Sequence, residues 1–258
     1  MKRCIQMLVL IVGLQGCATQ FGARDGQSPI AGAALHFQNP SAEPASAQVF
    51  VGAEALRPGD IVLTSMPGFA GAGIELLTFA PVSHAALYVG EGRVVEAVRA
   101  GVGERSIDEV MADESVALVL RYPGLSKAQA RRIRAYAQNK TGAGFNFVGV
   151  TLQIPSAIGR RACELPLVPG VVRDACIRGL GVFSHLAASE RRMFCSQLVL
   201  QAYRHAGVEL TEADARIVSP ADILHMREGD VSSFTIARPL HYVGHLKYDR
   251  PMLTALGR

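Results

Sequence analysis

Three short segments of the chain carry side chains that could perform nucleophilic chemistry. The segment SHAALYVG places His84 at the start of an apolar, strand-like run, and VVEA places Glu96 in another. The segment FCSQLV places Cys195 at the start of an apolar, helix-like run. A thiol reacts as its thiolate, an imidazole can take the thiol proton, and a third polar group can orient the imidazole. The three side chains therefore have the types that acyl transfer through a cysteine needs.

Each of these side chains also has a simpler interpretation when it is taken alone. A histidine at a strand edge is commonly a hydrogen-bonded core residue, a glutamate in a strand commonly faces water, and a cysteine in an apolar helix commonly packs. Cys195, however, lies in the first turn of a helix predicted over residues 194–206, where free amides and the helix dipole favour negative charge. It shares its stripe with apolar residues at three- and four-residue spacings: Leu198, Val199, Ala202 and Ala206. Cys195 is therefore predicted to face the sheet on which the helix packs.

The sheet that must hold His84 is predicted from apolar runs between turn residues. Strands are expected at 61–64, 85–89, 94–98 and 116–121, with a closing strand region within 238–248. The fold class is therefore α+β, with a small antiparallel, barrel-like sheet packed against the Cys195 helix. Asp60, in the turn before the first of these strands, is interpreted as a turn residue rather than an acid.

A second helix is predicted by a capping pattern. Ser126 is followed three residues later by Gln129, and the helical run continues to Lys140 before Gly142 ends it. Residues 151–190 are broken up by prolines and glycines and are predicted to form an irregular insertion.

Simple hairpin counting does not bring Glu96 to His84. If Glu91 and Gly92 form a two-residue turn, Glu96 lies opposite Leu87, about 10 Å along the strand from His84 and on the other face of a flat ladder. A β-bulge or a longer turn would be needed to bring the two side chains together.

The amino-terminal residues are predicted to direct the chain to the cell envelope. Residues 1–17 combine Lys2 and Arg3 with an apolar run of about ten residues, too short for a permanent membrane span. They end in LQGC, which resembles the lipobox of bacterial lipoproteins and implies a lipid on Cys17. Ala18 follows, and by that resemblance favours the outer membrane, facing the periplasm. An uncleaved anchor and a plain secretory signal are the alternatives.

Composition sets the remaining boundaries. Residues 18–50 are rich in small and polar residues and are predicted to be a flexible tether, which leaves a single domain over 51–258. The formal net charge is +4, with no long basic run interleaved with aromatic residues, which argues against a nucleic-acid partner. Cys163 and Cys176 could pair in an oxidising envelope compartment or stay as two unpaired thiols.

Two longer segments resemble a known family. Residues 56–103, with the PGD turn, SHAALYVG and Glu96 twelve positions after His84, resemble the histidine half of the NlpC-type cell-wall peptidases. The segment FCSQLVLQAYRHAGVEL resembles the cysteine half. The two halves stand in the reverse of the usual order, so the chain resembles the circularly permuted branch, the YiiX/YaeF-like papain-fold amidases. The segment GFNF, at 144–147, sits where that branch often has an aromatic–acid pair.

This resemblance implies a role for each residue. Cys195 would attack an acyl carbonyl, His84 would be the general base that later protonates the leaving group, and Glu96 would orient His84. The amide of Cys195 would donate to the oxyanion. No cofactor is expected. The implied substrate is a peptide or lipid amide, with peptidoglycan stem peptides favoured by the envelope location.

Three alternatives stay open on the sequence. Acyl transfer, or hydrolysis of a lipid amide or an N-acyl amino acid, would use the same residues. A non-catalytic lipoprotein could keep the fold as a binding module. His84, Glu96 and Cys195 could also bind zinc, but there is no second cysteine or histidine at ligand spacing, so no metal site is predicted.

Overall fold

The computed structural model describes residues 19–23, 33–39, 41, 48–65, 81–146, 163, 172–173, 175–177, 179 and 192–249. Its strands are β1 (Thr19–Ala23), β2 (Ala33–Phe37), β3 (Ile61–Thr64), β4 (His84–Gly90), β5 (Arg93–Val98), β6 (Gly101–Ser106), β7 (Val116–Arg121), β8 (Gly144–Phe145), β9 (Arg192–Met193) and β10 (His241–Tyr248). Its α-helices are α1 (Ile107–Asp113), α2 (Lys127–Asn139), α3 (Cys195–His205) and α4 (Pro220–Leu224).

Six of these strands form one antiparallel sheet in the order β10-β7-β3-β4-β5-β6. The central strands β3, β4 and β7 are almost entirely buried, since helices cover both faces of the sheet. This mixed architecture confirms the predicted combination of helices with an antiparallel sheet. Among the described strands, β10 and β6 stand at the two ends of the order, so barrel-like closure stays a prediction.

The two faces of the sheet bury separate hydrophobic clusters. The larger cluster joins one face to α2 and α3 through side chains such as Leu87, Ile133 and Leu198. The smaller cluster joins the other face to α1 through Ile107 and Val110. Because burying a large aliphatic side chain contributes about 1.5–3 kcal/mol, both faces contribute to holding the central strands in register.

The turn before β3 ties the sheet to α3. Asp60 accepts a hydrogen bond from the Arg57 amide (2.7 Å), as a turn residue does, and also binds the Arg121 guanidinium at 2.7 and 2.6 Å. Tyr203 of α3 donates to the Gly59 carbonyl at 2.5 Å. The interpretation of Asp60 as a turn residue is therefore confirmed, and its ion pair with Arg121 was not foreseen.

The predicted helices begin and end close to where the sequence placed them. Ser126 and Gln129 form a reciprocal capping box at the start of α2, and Phe194 is the N-cap of α3. Gly142 and Gly207, at the ends of α2 and α3, have φ of +89° and +78°, a conformation that glycine adopts without strain.

Parts of the predicted flexible tether over 18–50 make contacts in the structure. Strands β1 and β2 pair antiparallel within it, and Asn39 donates to Asp230 at 2.9 Å. The His245 amide donates to the Val49 carbonyl at 2.7 Å and Val51 donates to the His245 carbonyl, so the contacts with β10 begin before residue 51. Composition did not predict this, because the contacts are backbone hydrogen bonds, which small and polar residues make as readily as others.

The predicted insertion over 151–190 is described only at residues 163, 172–173, 175–177 and 179. There the structure joins Cys163 to Cys176 by a disulfide. The predicted targeting segment, 1–17, including Cys17, lies outside the described residues. No helix in the described part of the chain has the length and apolarity needed to cross a bilayer.

Candidate active site

Cys195 is the first residue of α3 and is half-buried. The first amide that bonds within this helix is that of Leu198, which donates to the Phe194 carbonyl. The amides of the first turn therefore point away from the helix, where they can stabilise an anion. Ser196 fixes the helix start by donating from its hydroxyl to the Val218 carbonyl at 2.6 Å.

The chain leading into α3 is held by a second, short sheet. Strand β8 pairs in parallel with β9, so Phe145 lies opposite Met193. The Asn146 amide then donates to the Met193 carbonyl at 3.1 Å. The first three residues of the GFNF segment thus hold the residues immediately before Cys195. Phe147 lies outside the described residues.

The sulfur of Cys195 lies at the end of the pairing between strands β4 and β5. The β4–β5 ladder ends at the pair Ala86–Glu96. The next amide of β4, that of Ala85, donates to the Cys195 sulfur, as does the amide of Ser196. A sheet amide and a helix amide therefore converge on the same sulfur atom.

His84 links the thiol to the carboxylate. Its imidazole is 4% exposed and hydrogen-bonds the Cys195 side chain. On its other side, Nε2 lies 2.8 Å from Glu96 Oε2. Because Glu96 occupies Nε2, the Nδ1 side of the ring is left for the sulfur. The structure thus brings together the three residues that the sequence singled out.

A β-bulge explains how Glu96 reaches His84. Glu91 and Gly92 form the predicted two-residue turn, both with positive φ, and Gly90 pairs with Arg93. The register then shifts between Tyr88 and Gly90, which leaves Val89 as an extra residue on β4.

The bulge changes which residue faces Glu96. The prediction from simple counting that Glu96 lies opposite Leu87 is wrong, because Glu96 lies opposite Ala86. His84 is two residues from Ala86, so its side chain shares a face of the sheet with Glu96. Residues in such diagonal positions are close enough for long side chains to touch.

The electrostatics favour a thiolate–imidazolium pair. Burial opposes the charge on His84, but the Cys195 thiolate and the Glu96 carboxylate outweigh burial and raise the pKa of His84 to about 10. Burial also opposes the thiolate, yet the His84 cation and the amides of Ala85 and Ser196 lower the pKa of Cys195. Between the two pKa values, a proton therefore resides on His84 and the sulfur is anionic.

Two residues near this pair were missed by sequence reasoning. Arg105 on β6 donates from Nη1 to Glu96 Oε1 at 3.2 Å. Burial opposes the charge of Glu96, but His84 and Arg105 together hold its pKa below the usual value. Glu114, which follows α1, is buried and interacts electrostatically with His84 and Glu96.

Some signal for these residues was present in the sequence. SIDE, at 106–109, is a capping-box pattern that starts α1. It would have placed a helix start directly after a strand carrying Arg105. Which charged residue then turns toward Glu96 depends on pairing between strands, which the pattern does not give.

Among the described residues, no group of three or more histidine, cysteine, aspartate or glutamate side chains is placed so that it could hold a metal ion. His84 contacts both the Cys195 side chain and the Glu96 carboxylate.

A histidine that contacts a thiol on one side and a carboxylate on the other is the arrangement that activates a cysteine nucleophile. The chain is 36% identical over 217 residues to the Probable lipoprotein peptidase YaeF of Escherichia coli (strain K12), covering 83% of this chain and 79% of YaeF. The chain therefore belongs to the YaeF family.

Neither solved structures nor protein-family models extend this assignment. The crystal structure of metalloprotein yiiX from Escherichia coli O157:H7, DUF1105, matches with a TM-score of 0.43 and 15% identity, over 73% of this chain and 96% of that one. No conclusion about this chain follows from a likeness at that level. No protein-family model matches the chain.

Proposed function

We propose that this protein is an envelope-anchored cysteine hydrolase that cleaves amide bonds through an acyl-enzyme. The observation that carries the proposal is the buried His84, placed between the Cys195 sulfur and the Glu96 carboxylate. The name of its relative YaeF, a probable lipoprotein peptidase, supports the same reaction class.

In the first half of the proposed reaction, the Cys195 thiolate attacks the amide carbonyl carbon and the C=O π electrons move onto oxygen. The amide of Cys195, at the α3 N-terminus, donates to this oxyanion. As the tetrahedral intermediate collapses, the C–N bond breaks and the imidazolium of His84 gives its proton to the leaving nitrogen. A thioester on Cys195 and a free amine result.

In the second half, neutral His84 takes a proton from water, and the hydroxide attacks the thioester. The C–S bond breaks, the carboxylic acid leaves, and the thiolate–imidazolium pair is restored. Glu96 holds the imidazole so that Nδ1 faces the sulfur, and it balances the positive charge of the ring.

The proposal includes a circularly permuted papain-like fold. The histidine strand precedes the cysteine helix by more than a hundred residues, the reverse of the usual order. The chemistry tolerates this order because catalytic groups are defined by their geometry and not by their sequence positions.

We further propose that the enzyme is attached to the envelope through a lipid on Cys17, in the outer membrane and facing the periplasm. LQGC and the word lipoprotein in its relative's name support this placement. Replacing Cys17 with Ser should move the protein from the membrane fraction to the soluble fraction. If the Ser variant stays with the membrane, the lipid anchor is wrong.

The reaction is tested with a thiol-directed activity probe and with candidate substrates. The intact protein should label at Cys195, the free cysteine of the described residues, and should release an amine from muropeptides. Cys195→Ala should do neither. Slow labelling, at the rate of an unactivated thiol, together with unchanged turnover in Cys195→Ala, would refute the enzyme proposal.

Mass spectrometry of the products identifies the substrate class. Muropeptides and lipid amides are incubated separately, each with and without an added amine acceptor. Cleavage of muropeptides supports the peptidase assignment, whereas an acylated acceptor would replace hydrolysis with acyl transfer.

A further inference from the structure

Two buried carboxyl groups, and not one, lie near His84. Glu96 comes from β5 and is 2% exposed, and Glu114 follows the last residue of α1 and is 6% exposed. Both interact electrostatically with His84 and with each other. Either could in principle supply the negative charge beside the imidazole, so something in the structure must decide between them.

Their hydrogen bonds differ sharply. Glu96 accepts one hydrogen bond from His84 at Oε2 (2.8 Å) and another from Arg105 at Oε1 (3.2 Å). Glu114 Oε2 is buried and has no hydrogen-bond partner among the described residues. A buried carboxylate without donors is costly, whereas a protonated carboxyl carries no charge to desolvate.

The strand pairing and a second ion pair hold the Arg105 side chain next to Glu96. In the β5–β6 ladder, Glu96 lies opposite Gly103 and Arg105 lies opposite Val94, so the two charged side chains occupy diagonal positions on one face. The second arm of the guanidinium, Nη2, donates to Asp113 Oδ2 at 2.7 Å. Asp113, at the end of α1, therefore holds Arg105 from the side opposite Glu96.

We propose that Arg105 is a positioning residue that selects Glu96, rather than Glu114, as the charged partner of His84. This inference rests on the proposed function, because it concerns the same Cys195–His84 pair. Within the described residues, the charged and titratable groups that act on the two carboxyls, directly or through His84, are Cys195, His84, Arg105 and Asp113.

The electrostatics agree with this choice. Burial raises the pKa of Glu114 to about 7, the charge of Glu96 adds to the effect, and the cations His84 and Arg105 only partly offset it. Glu96, with the same His84 and Arg105 as hydrogen-bond partners, has a lowered pKa. Because the surroundings shift the two carboxyl pKa values in opposite directions, there is a pH range below 7 in which Glu96 is ionised while Glu114 is mostly protonated.

The test follows the ultraviolet absorbance of the Cys195 thiolate in the full-length protein as pH is varied, with Cys195→Ala as the blank. Arg105→Gln removes the cation, so Glu96 gains a proton more easily and stabilises the His84 cation less. The midpoint of thiolate formation should therefore rise by about one pH unit, the size of shift that a nearby charge causes. In Arg105→Lys, which keeps the positive charge, the midpoint should stay close to that of the wild type.

Two further variants make the test specific. Arg93→Gln is the matched control, because Arg93 also lies in the β5–β6 ladder but pairs with Glu104 at 3.0 Å. It should leave the midpoint unchanged. Glu96→Gln should raise the midpoint as Arg105→Gln does, whereas Glu114→Gln should shift it far less.

The outcomes separate this inference from the proposed function. An unshifted midpoint in a folded Arg105→Gln variant, or a larger shift in Glu114→Gln than in Glu96→Gln, overturns the role of Arg105 while leaving the enzyme proposal intact. A wild-type midpoint at the value of an ordinary thiol overturns the activated Cys195 itself, and with it both proposals.

Discussion

Two regions of this molecule are built from the same residue types and differ in what they face. In one, His84, Glu96 and Arg105 come from three neighbouring strands and meet beside a cysteine. In the other, the histidine, aspartate and arginine lie within six residues of one another after α4. These residues are His225, Arg227 and Asp230, with Asp230 bound by the other two at 2.9 and 3.0 Å.

The second cluster uses its carboxylate to hold backbone. Asp230 Oδ1 accepts hydrogen bonds from the amides of Asn39 and Val231, at 2.9 and 2.8 Å. Arg227 donates to the Ser41 carbonyl at 2.8 Å. These bonds fasten the amino-terminal segment to the folded unit.

The difference between the clusters indicates that a buried histidine–carboxylate pair does not by itself define a reactive site. At Asp230 two backbone amides donate to Oδ1 in addition to the His225 and Arg227 side chains at Oδ2, and the cluster joins two parts of the chain. At Glu96 the donors are side chains, and the histidine meets a thiol whose sulfur also receives two amides. We therefore expect mutations in the first cluster to affect reactivity and mutations in the second to affect stability.

The largest expected effect is that of His84→Ala. It removes both the cation that stabilises the thiolate and the group that moves the proton, so turnover should fall by about 10³-fold or more. Alkylation of Cys195 at pH 6 should slow in parallel. His205→Ala is the control, because His205 lies on α3 but at its exposed end; equal losses in both variants would mean that the effect is not specific to the pair.

Next is Asp230→Ala, which leaves the charge of Arg227 buried without its carboxylate. Removing one partner of a buried ion pair costs about 3–5 kcal/mol, which urea unfolding should detect. Turnover per folded molecule should stay close to that of the wild type. A loss of turnover without a loss of stability would show that the second cluster takes part in the reaction.

Glu96→Gln should lower turnover while leaving the stability of the protein nearly unchanged, the opposite of Asp230→Ala. A hydrogen bond to a charged group contributes about 1.5–3 kcal/mol, so turnover should fall by roughly 10- to 100-fold. Glu104→Gln on the neighbouring strand is the matched control and should keep full turnover. The comparison breaks down if Glu96→Gln destabilises the protein as much as Asp230→Ala does.

The smallest effect is expected for Arg227→Lys. Lysine keeps the charge beside Asp230 but loses the planar group that reaches the backbone of Asn39 and Ser41. We expect a loss of about 1 kcal/mol in the free energy of unfolding. Limited proteolysis should show faster cleavage near residue 41, and an unchanged cleavage rate would contradict this holding role.

Much of the site could be predicted from local sequence because its main elements are locally specified. The apolar periodicity after Cys195 predicted α3, and the glycine turn after SHAALYVG predicted the hairpin. Two features depend on packing instead. The bulge at Val89 is a property of how β4 and β5 pair, and the ion pair of Arg105 with Glu96 joins residues that no spacing rule connects.

Contacts that local sequence does not predict are also found in the amino-terminal region. Its composition is that of a linker, yet Asn39 and Ser41 bind a cluster whose residues lie 191 and 186 positions away in the sequence. Hydrogen bonds made by backbone amides and carbonyls leave little trace in the side chains that make them. Composition therefore gave no sign of this contact.

The central claim, that His84 holds Cys195 as a thiolate, is tested most directly by the pH dependence of Cys195 alkylation in the intact protein. If His84 holds Cys195 as a thiolate, the rate stays nearly constant through pH 7 and 8; the lowered pKa of Cys195 and the raised pKa of His84 have the direction that this requires. A rate that climbs about tenfold per pH unit through that range, toward the ordinary thiol pKa of about 8.5, would contradict the claim.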